Sequence, residues 1–254
     1  MDTTSKPLLP QSLGHARVPG LPCTAFYISE FITEDEEKFI LDKIATAPKP
    51  RWKQLSHRRL QTWPSDLIND KLVDAPLPSW LEEPVITRLR SLHLENDEGP
   101  QSHIFSDSPH NRPNHVLINE YPPGIGIMPH KDGAAYHPVV CTVSLGASIC
   151  LGIHEMKEDG TLNKTPAWRI LQEPRSLLIT TADLYTDYLH GIDDITEDIG
   201  LSEGTIANWS LLRPSSTFHD GRNPRQMRTS LTYRDVLNVS KLGNKLGLLF
   251  NQRK

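Results

Sequence analysis

Polar and apolar residues alternate along Arg228-Thr229-Ser230-Leu231-Thr232-Tyr233-Arg234, a strand pattern. It presents Arg228, Ser230, Thr232 and Arg234 on one face and Leu231 and Tyr233 on the other. Short apolar runs predict further strands over 25–28, 116–121, 139–145, 149–154, 167–172 and 177–181, with the alternating strand spanning 228–236. Glycine and proline turns separate them, and many short strands punctuated in this way suggest a double-sheet jelly roll that closes at one mouth. Helical period appears in two places. Thr33 and Glu36 form a capping box before a stripe of Ile40, Leu41 and Ile44, and Pro48 ends that helix. Ser79 and Glu82 make a second box before Val85, Leu89 and Leu92. The fold class expected is α+β and mainly β, a double-stranded β-helix (jelly-roll) core with N-terminal helices packed on its outer face.

The intervening stretches are less patterned. Residues 1–22 hold Ser, Pro and Gly with few apolar positions and are expected to form a loose tail. Residues 95–113 look like a polar surface loop with His103 and His110 exposed on it; His154 follows a strand and is a candidate to line a site. Two stretches interrupt the strand series, 155–166 and 192–226, the second carrying Asp193, Asp194, Glu197 and Asp198. Lys241, Lys245, Arg253 and Lys254 mark a basic tail.

A chain of 254 residues, 37% hydrophobic and without an internal repeat, can bury a full core. It has no apolar run near the length that spans a membrane, and its first residues lack signal-peptide order. Three cysteines (Cys23, Cys141, Cys150) without paired spacing suit a reducing compartment, so nucleus and cytoplasm are the expected locations, and Cys141 and Cys150 are expected as core thiols. The net charge of −4 means that a polyanion must be met by a local patch. One candidate patch exists: Lys49, Arg51, Lys53, Arg58 and Arg59 are interleaved with Trp52 and Trp63, combining phosphate-neutralising charge with rings that can stack on bases. A solvated loop whose tryptophans plug the core is the competing interpretation.

The candidate chemistry centres on Pro129-His130-Lys131-Asp132-Gly133. On an extended segment His130 and Asp132 leave the same face, so one imidazole and one carboxylate can hold one ion. His190, in Tyr188-Leu189-His190-Gly191-Ile192, offers a third ligand. Two imidazoles and a carboxylate suit non-haem Fe(II), although zinc or manganese would accept the same donors. His-x-Asp alone recurs by chance; the arginine face is what gives it weight. Two inward guanidiniums demand an anion, and their bidentate geometry suits a dicarboxylate beside the metal. A zinc hydrolase would leave them unexplained.

Asn119-x-Tyr121, then His130-x-Asp132, then a strand ending in Ser144-Leu145-Gly146, then His190-Gly191-Ile192, then Arg228 and Arg234 resemble, in order and spacing, the AlkB-like Fe(II)/2-oxoglutarate dioxygenases. The likeness covers 114–235; Phe31-Ile32-Thr33, the stretch 48–52 and Leu60-Gln61-Thr62-Trp63 look most like the sixth-homologue branch of that family. The resemblance implies that Fe(II), 2-oxoglutarate and dioxygen are used, with His130, Asp132 and His190 as catalytic metal ligands. It implies that Arg228 pairs with the distal carboxylate and that Asn119 and Tyr121 hydrogen-bond the co-substrate, beside Ser230 and Thr232. Arg234 is expected to tie Asp132 or the proximal carboxylate. It divides the chain into a flexible tail (1–22), a helical and lid extension (23–113), a jelly-roll core (114–240, with the insertion 192–226) and a basic tail (241–254). The long gap between His190 and Arg228 departs from the family's compact pattern, so the alignment of Arg228 rests on the Arg-to-Arg spacing. The lid would carry Arg51, Trp52, Lys53, Arg58, Arg59 and Trp63 as substrate residues. The expected reaction is oxidative demethylation or hydroxylation of RNA or DNA, the base single-stranded or flipped, by a monomer without a membrane role. A protein side-chain hydroxylase or demethylase is one alternative; a nucleic-acid-binding protein with weak turnover is the other.

Overall fold

The structure is a computed structural model in which residues 7–21, 24–94, 102–157, 159–213, 218 and 220–240 are described. Cys23, the basic tail 241–254 and part of the 95–113 stretch lie outside the described residues. The strands in chain order are β1 (Ala25–Ile28), β2 (Trp52–Gln54), β3 (Arg59–Trp63), β4 (Leu72–Val73), β5 (His115–Tyr121), β6 (Ile127–His130), β7 (Val139–Leu145) and β8 (Ile149–His154). They continue with β9 (Trp168–Gln172), β10 (Leu177–Thr181), β11 (Leu189–Ile192), β12 (Glu197–Ile199), β13 (Arg222–Pro224), β14 (Arg228–Arg234) and β15 (Val239–Ser240). Four α-helices are described: α1 (Glu34–Ala45), α2 (Ser79–Glu82), α3 (Val85–Ser91) and α4 (Asp183–Thr186).

Two sheets form the core. The major sheet runs β1-β10-β7-β14-β5-β3-β2 and the minor one β6-β11-β8-β9, with neighbours antiparallel throughout. From β5 to β8 successive strands alternate between the sheets, the hairpin β8–β9 stays in the minor sheet, and β10, β11 and β14 alternate again around the separate pair β12–β13, a jelly-roll order as the strand pattern suggested. Period-two alternation sorts the side chains. Leu177, Ile179, Leu231, Tyr233, Val116 and Ile118 face outward against Ile40, Ile44, Leu81, Val85 and Leu89 of the helices, while Leu178 joins Tyr121, Leu151, Ile153 and Ile192 inside. Each such buried aliphatic contributes about 1.5–3 kcal/mol, which is why the helices cover this face.

The first capping box is present: Glu36 N donates to Thr33 Oγ1 at 3.2 Å and Thr33 N to Glu36 Oε2 at 2.7 Å. The second is not. Pro78 occupies the N-cap of α2 without a side-chain bond, and Glu82 instead accepts from Arg112 Nη2 at 2.6 Å. The single helix expected there is two, because Pro84 has no N–H to carry the ladder onward. The tail also differs from expectation in its described part: Leu13, Ala16 and Val18 are buried, and Leu13 N donates to His93 O at 2.9 Å. Apolar residues at those positions sit on the helices and on β1, which holds the backbone in place.

The described part of the stretch 192–226 is anchored. Asp198 and Arg225, both almost wholly buried, form an ion pair at 2.7 Å, and Asn223 donates to the same carboxylate. Leu201, Ile206 and Phe218 pack on Cys150 and Leu171 and so cover part of the minor sheet. Cys141 and Cys150 are free and buried, as expected of core thiols. Among the described residues no helix is long and apolar enough to cross a membrane.

Candidate active site

β6 and β11 pair so that His190 lies opposite His130, their rings 4.4 Å apart between centroids and inclined by 52°. Gly191 makes this approach feasible: a Cβ there would lie 2.9 Å from Pro129 N. His130 Nδ1 lies 2.9 Å from Met128 O; a carbonyl only accepts, so Nδ1 carries the proton and Nε2 keeps its lone pair for the site. His190 is part-buried, and desolvation pushes its pKa down to about 4, against the raising pull of Asp132; it is a neutral donor at physiological pH.

Asp132 follows β6 and is held by Arg234, whose Nη2 donates to Oδ1 at 2.7 Å, both side chains 7% exposed. Its other oxygen, Oδ2, is buried without a hydrogen-bond partner in the protein. Ligand atoms of His130, Asp132 and His190 all lie within 4.8 Å of one another. A buried orphan carboxylate oxygen beside two imidazoles is the donor set of a divalent ion, and two imidazoles with one carboxylate leave positions open for exchangeable ligands. The residues therefore fit Fe(II).

The cavity above them measures about 380 Å³. The arginine face of β14 lines it as the alternation predicted: Arg228, Ser230, Thr232 and Arg234 point in, with Asn119 and Tyr121 from β5. Arg228 is 2% exposed, and no carboxylate lies within ion-pair distance of it among the described residues. Burial lowers its pKa to about 10, which still leaves it charged at neutral pH. Its Nε donates to Ser144 Oγ at 2.9 Å and its Nη2 to Gln172 Oε1 at 3.1 Å. Neutral partners orient the guanidinium without neutralising it, so the charge is available to a ligand anion.

Sequence reasoning missed Ser144 and Gln172 in this role, although Ser144 pairs with Ser230 in the sheet register and polar residues inside apolar strands were a usable signal. It missed Tyr136 as well, whose ring centroid lies 4.8 Å from Arg234 Cζ, and Tyr185, whose hydroxyl donates to Gly133 O at 2.7 Å and so holds the loop after Asp132. Burial raises the Tyr185 pKa to about 12, keeping that proton in place.

His154 is not on the cavity wall; its Nδ1 is bonded to Asn163 O at 3.0 Å on a side chain 2% exposed. His103 and His110 do not line it either. His103 is part-buried rather than exposed, whereas His110 is exposed as expected, although its Nδ1 bonds buried Asp235 at 2.7 Å.

The basic stretch before the core is a hairpin, β2–β3, paired onto β5 at the sheet edge. Its six expected substrate residues separate. Arg58 lines the cavity, with Nε 3.5 Å from Asn119 Oδ1. Lys53 is paired with Asp66 and Arg59 with Glu120; Arg51 donates to Pro64 O at 2.7 Å. Trp52 and Trp63 are partly buried against the core, with Arg59 and Arg51 lying 4.0 and 4.1 Å from their ring centroids.

Fold, donor set and anion pocket define a metal-dependent oxygenase centre that takes a dicarboxylate co-substrate. The profile of the 2OG-Fe(II) oxygenase superfamily matches residues 25–234, and the chain belongs to that superfamily, with Fe(II), 2-oxoglutarate and dioxygen as its cofactor and co-substrates. It is an AlkB-like dioxygenase. It is 37% identical over 233 residues to "Probable RNA/DNA demethylase ALKBH6" of Danio rerio, covering 89% of this chain and 91% of that one. It is 28% identical over 225 residues to "tRNA (carboxymethyluridine(34)-5-O)-methyltransferase alkbh8" of Xenopus tropicalis, covering 86% of this chain and 32% of that protein. Among solved structures, "The structure of OsALKBH1" superposes with a TM-score of 0.52 at 13% identity, over 85% of this chain and 99% of that one, a likeness of fold.

Proposed function

We propose that this dioxygenase oxidises a methyl group on an RNA or DNA base, removing or hydroxylating it, with the base single-stranded or flipped from its duplex so that it reaches the cavity. One observation carries the reading: the hairpin β2–β3 is bonded along the sheet that bears the arginine face, and its Arg58 and Leu60 line the same cavity as the metal triad. The printed name of the similar zebrafish protein supports it. Iron(II) held by His130, Asp132 and His190, with 2-oxoglutarate and dioxygen, supplies the oxidation of an unactivated C–H bond. The chain supplies the rest. Arg228 binds the distal carboxylate, Arg234 fixes Asp132, and the Met128 carbonyl fixes the His130 tautomer. Leu151, Ile153, Leu178 and Ile192 give the cavity an apolar wall that keeps bulk water from the reacting carbon. A monomer is the unit proposed. Both nucleus and cytoplasm contain such substrates, and we propose both as its location.

The test is incubation with Fe(II) and 2-oxoglutarate of separate RNA, DNA and protein pools, with methylated residues counted by mass spectrometry beside succinate release. Loss of a methylated base coupled to succinate supports the reading. A change confined to the protein pool, or tight oligonucleotide binding with no turnover, overturns it.

A further inference from the structure

A second cavity of about 360 Å³ shares no lining residue with the one above the metal triad. Five of its eight lining residues belong to the stretch 192–226, so the segment that lengthens the chain between His190 and Arg228 also builds this site. Its walls are mostly apolar, with Trp168, Trp209, Ile206 and Pro19. Glu203 is exposed on its rim; it is the one charged lining group among the described residues and has no cation of theirs within ion-pair distance. The rim is held in place. Arg169 Nη2 donates to Ile199 O at 3.0 Å, Thr205 Oγ1 donates to Gly200 O at 2.6 Å and accepts from Ser202 N at 3.0 Å, and Asn208 bonds both backbone groups of Leu171. Tyr188 braces Trp168 edge-on, 5.6 Å between ring centroids. Such a site needs little further ordering when a ligand arrives.

The tryptophans of the hairpin supply a comparison within the same protein. Trp52 and Trp63 carry its own guanidiniums, Arg59 and Arg51, at 4.0 and 4.1 Å from their ring centroids. Among the described residues no cation lies over Trp168 or Trp209. Two indoles and a carboxylate without a cation attract one from outside. Apolar walls cannot replace the water around a compact ammonium, whereas a guanidinium is weakly hydrated, stacks flat on an indole and forks onto a carboxylate. We infer that this cavity is a docking site for an arginine side chain of a protein partner, the guanidinium stacked on the tryptophan wall and paired with Glu203. Glu203 repels a phosphate backbone, so the partner is a polypeptide and not a nucleic acid. The site is separate from the metal centre and independent of which substrate is oxidised there.

The experiment follows the indole N–H signals of the isotope-labelled protein by NMR, its five tryptophans assigned through single Trp→Phe variants, as the capped peptide acetyl-Ala-Arg-Ala-amide is added. The signals of Trp168 and Trp209 are expected to move while those of Trp52, Trp63 and Trp80 stay. Replacing the arginine by its neutral isostere citrulline should weaken binding by about fivefold or more. Glu203→Gln should weaken it by about two- to fivefold, as suits an exposed pair, and Trp209→Leu by about two- to thirtyfold. Melting temperatures and 2-oxoglutarate affinity equal to wild type show that fold and active site are intact; Glu203 is exposed, so its variant folds even where Trp209→Leu does not. Unmoved Trp168 and Trp209 signals, equal binding of the citrulline peptide, or an affinity that survives Glu203→Gln overturns the inference. Tighter binding of the trimethyl-lysine peptide overturns the choice of guanidinium, and tighter binding of free arginine overturns the protein source.

Discussion

Arg228 is 2% exposed, and its Nε and one Nη are already committed to Ser144 and Gln172, so a defined part of the guanidinium is left to meet a ligand. Arg228→Lys keeps one positive charge and loses the planar fork and both orienting bonds. A hydrogen bond between charged partners contributes about 1.5–3 kcal/mol, so losing one weakens 2-oxoglutarate binding by roughly 10- to 150-fold. Ser144→Ala leaves the charge and removes one orienting bond, about 1 kcal/mol or roughly fivefold. Ligand truncation supplies the other side of the cycle. 2-Oxopentanoate has a methyl group where 2-oxoglutarate has its distal carboxylate, so it should bind wild type far more weakly and be almost indifferent to Arg228→Lys. Calorimetric titration of both ligands into Mn(II)-loaded wild type and variant, without oxygen, measures all four corners. A coupling below about twofold between side chain and carboxylate would refute the placement of the anion site, because a guanidinium touching that carboxylate must feel its removal.

The metal ligands make a second test: His130→Ala and His190→Ala should abolish turnover and metal binding yet melt within a few degrees of wild type. Asp132→Ala should also melt early, by about 3–5 kcal/mol, since it strands the buried Arg234; full activity in any of the three removes that residue from the triad. His115 is buried at the start of β5, and burial followed by the Arg234 cation depresses its pKa from 6.5 to about 4. A depressed histidine pKa means that the unfolded chain takes up the proton first, so stability is intact above pH 6.5 and falls as pH drops toward 4, by up to about 3 kcal/mol at 1.36 kcal/mol per unit. Denaturant titrations of His115→Leu should show a correspondingly flatter acid limb, and parallel limbs would show that His115 is not the sensor. Neutralising Arg51, Lys53, Arg58 and Arg59 together should lower the salt slope of oligonucleotide binding by roughly two units rather than four, because Lys53 and Arg59 already have carboxylate partners while Arg51 donates only to a neutral carbonyl. Unaltered binding at every salt concentration would make the hairpin a structural edge only.

Apolar runs and period-two alternation were enough to place five of the seven strands of the major sheet and two of the four of the minor one, since a one-residue slip would expose Leu231 and Tyr233 and bury the wrong face. They failed where alternation is short or masked. β2 and β3 are broken by basic residues whose charge is absorbed by Asp66 and Glu120, partners distant in sequence. The α2–α3 break shows a cap pattern losing to a proline. In 192–226 the sequence offers no partner for its acidic residues, yet Asp198 is the buried anchor of Arg225, a pairing that only the folded chain reveals.

The site was read more fully than the strands that build it. His130, Asp132 and His190 were recognisable by their chemistry, but β6 and β11, four residues each, carry no clear period, and both escaped notice. What marks them is backbone chemistry. Pro129 cannot donate to a ladder and so belongs on an edge strand, and β6 is the edge of the minor sheet. Gly191 sits where a side chain would strike Pro129. A donor-less residue facing a side-chain-less one lets the two strands close until both imidazoles reach one point. Arg234 on the facing sheet then sets the third ligand, so the metal position depends on both sheets at once. A buried arginine paired with one ligand, and another left without an acid, divides the anion work: Arg234 holds the protein's own carboxylate, and Arg228 keeps its charge for the co-substrate carboxylate that we propose it binds.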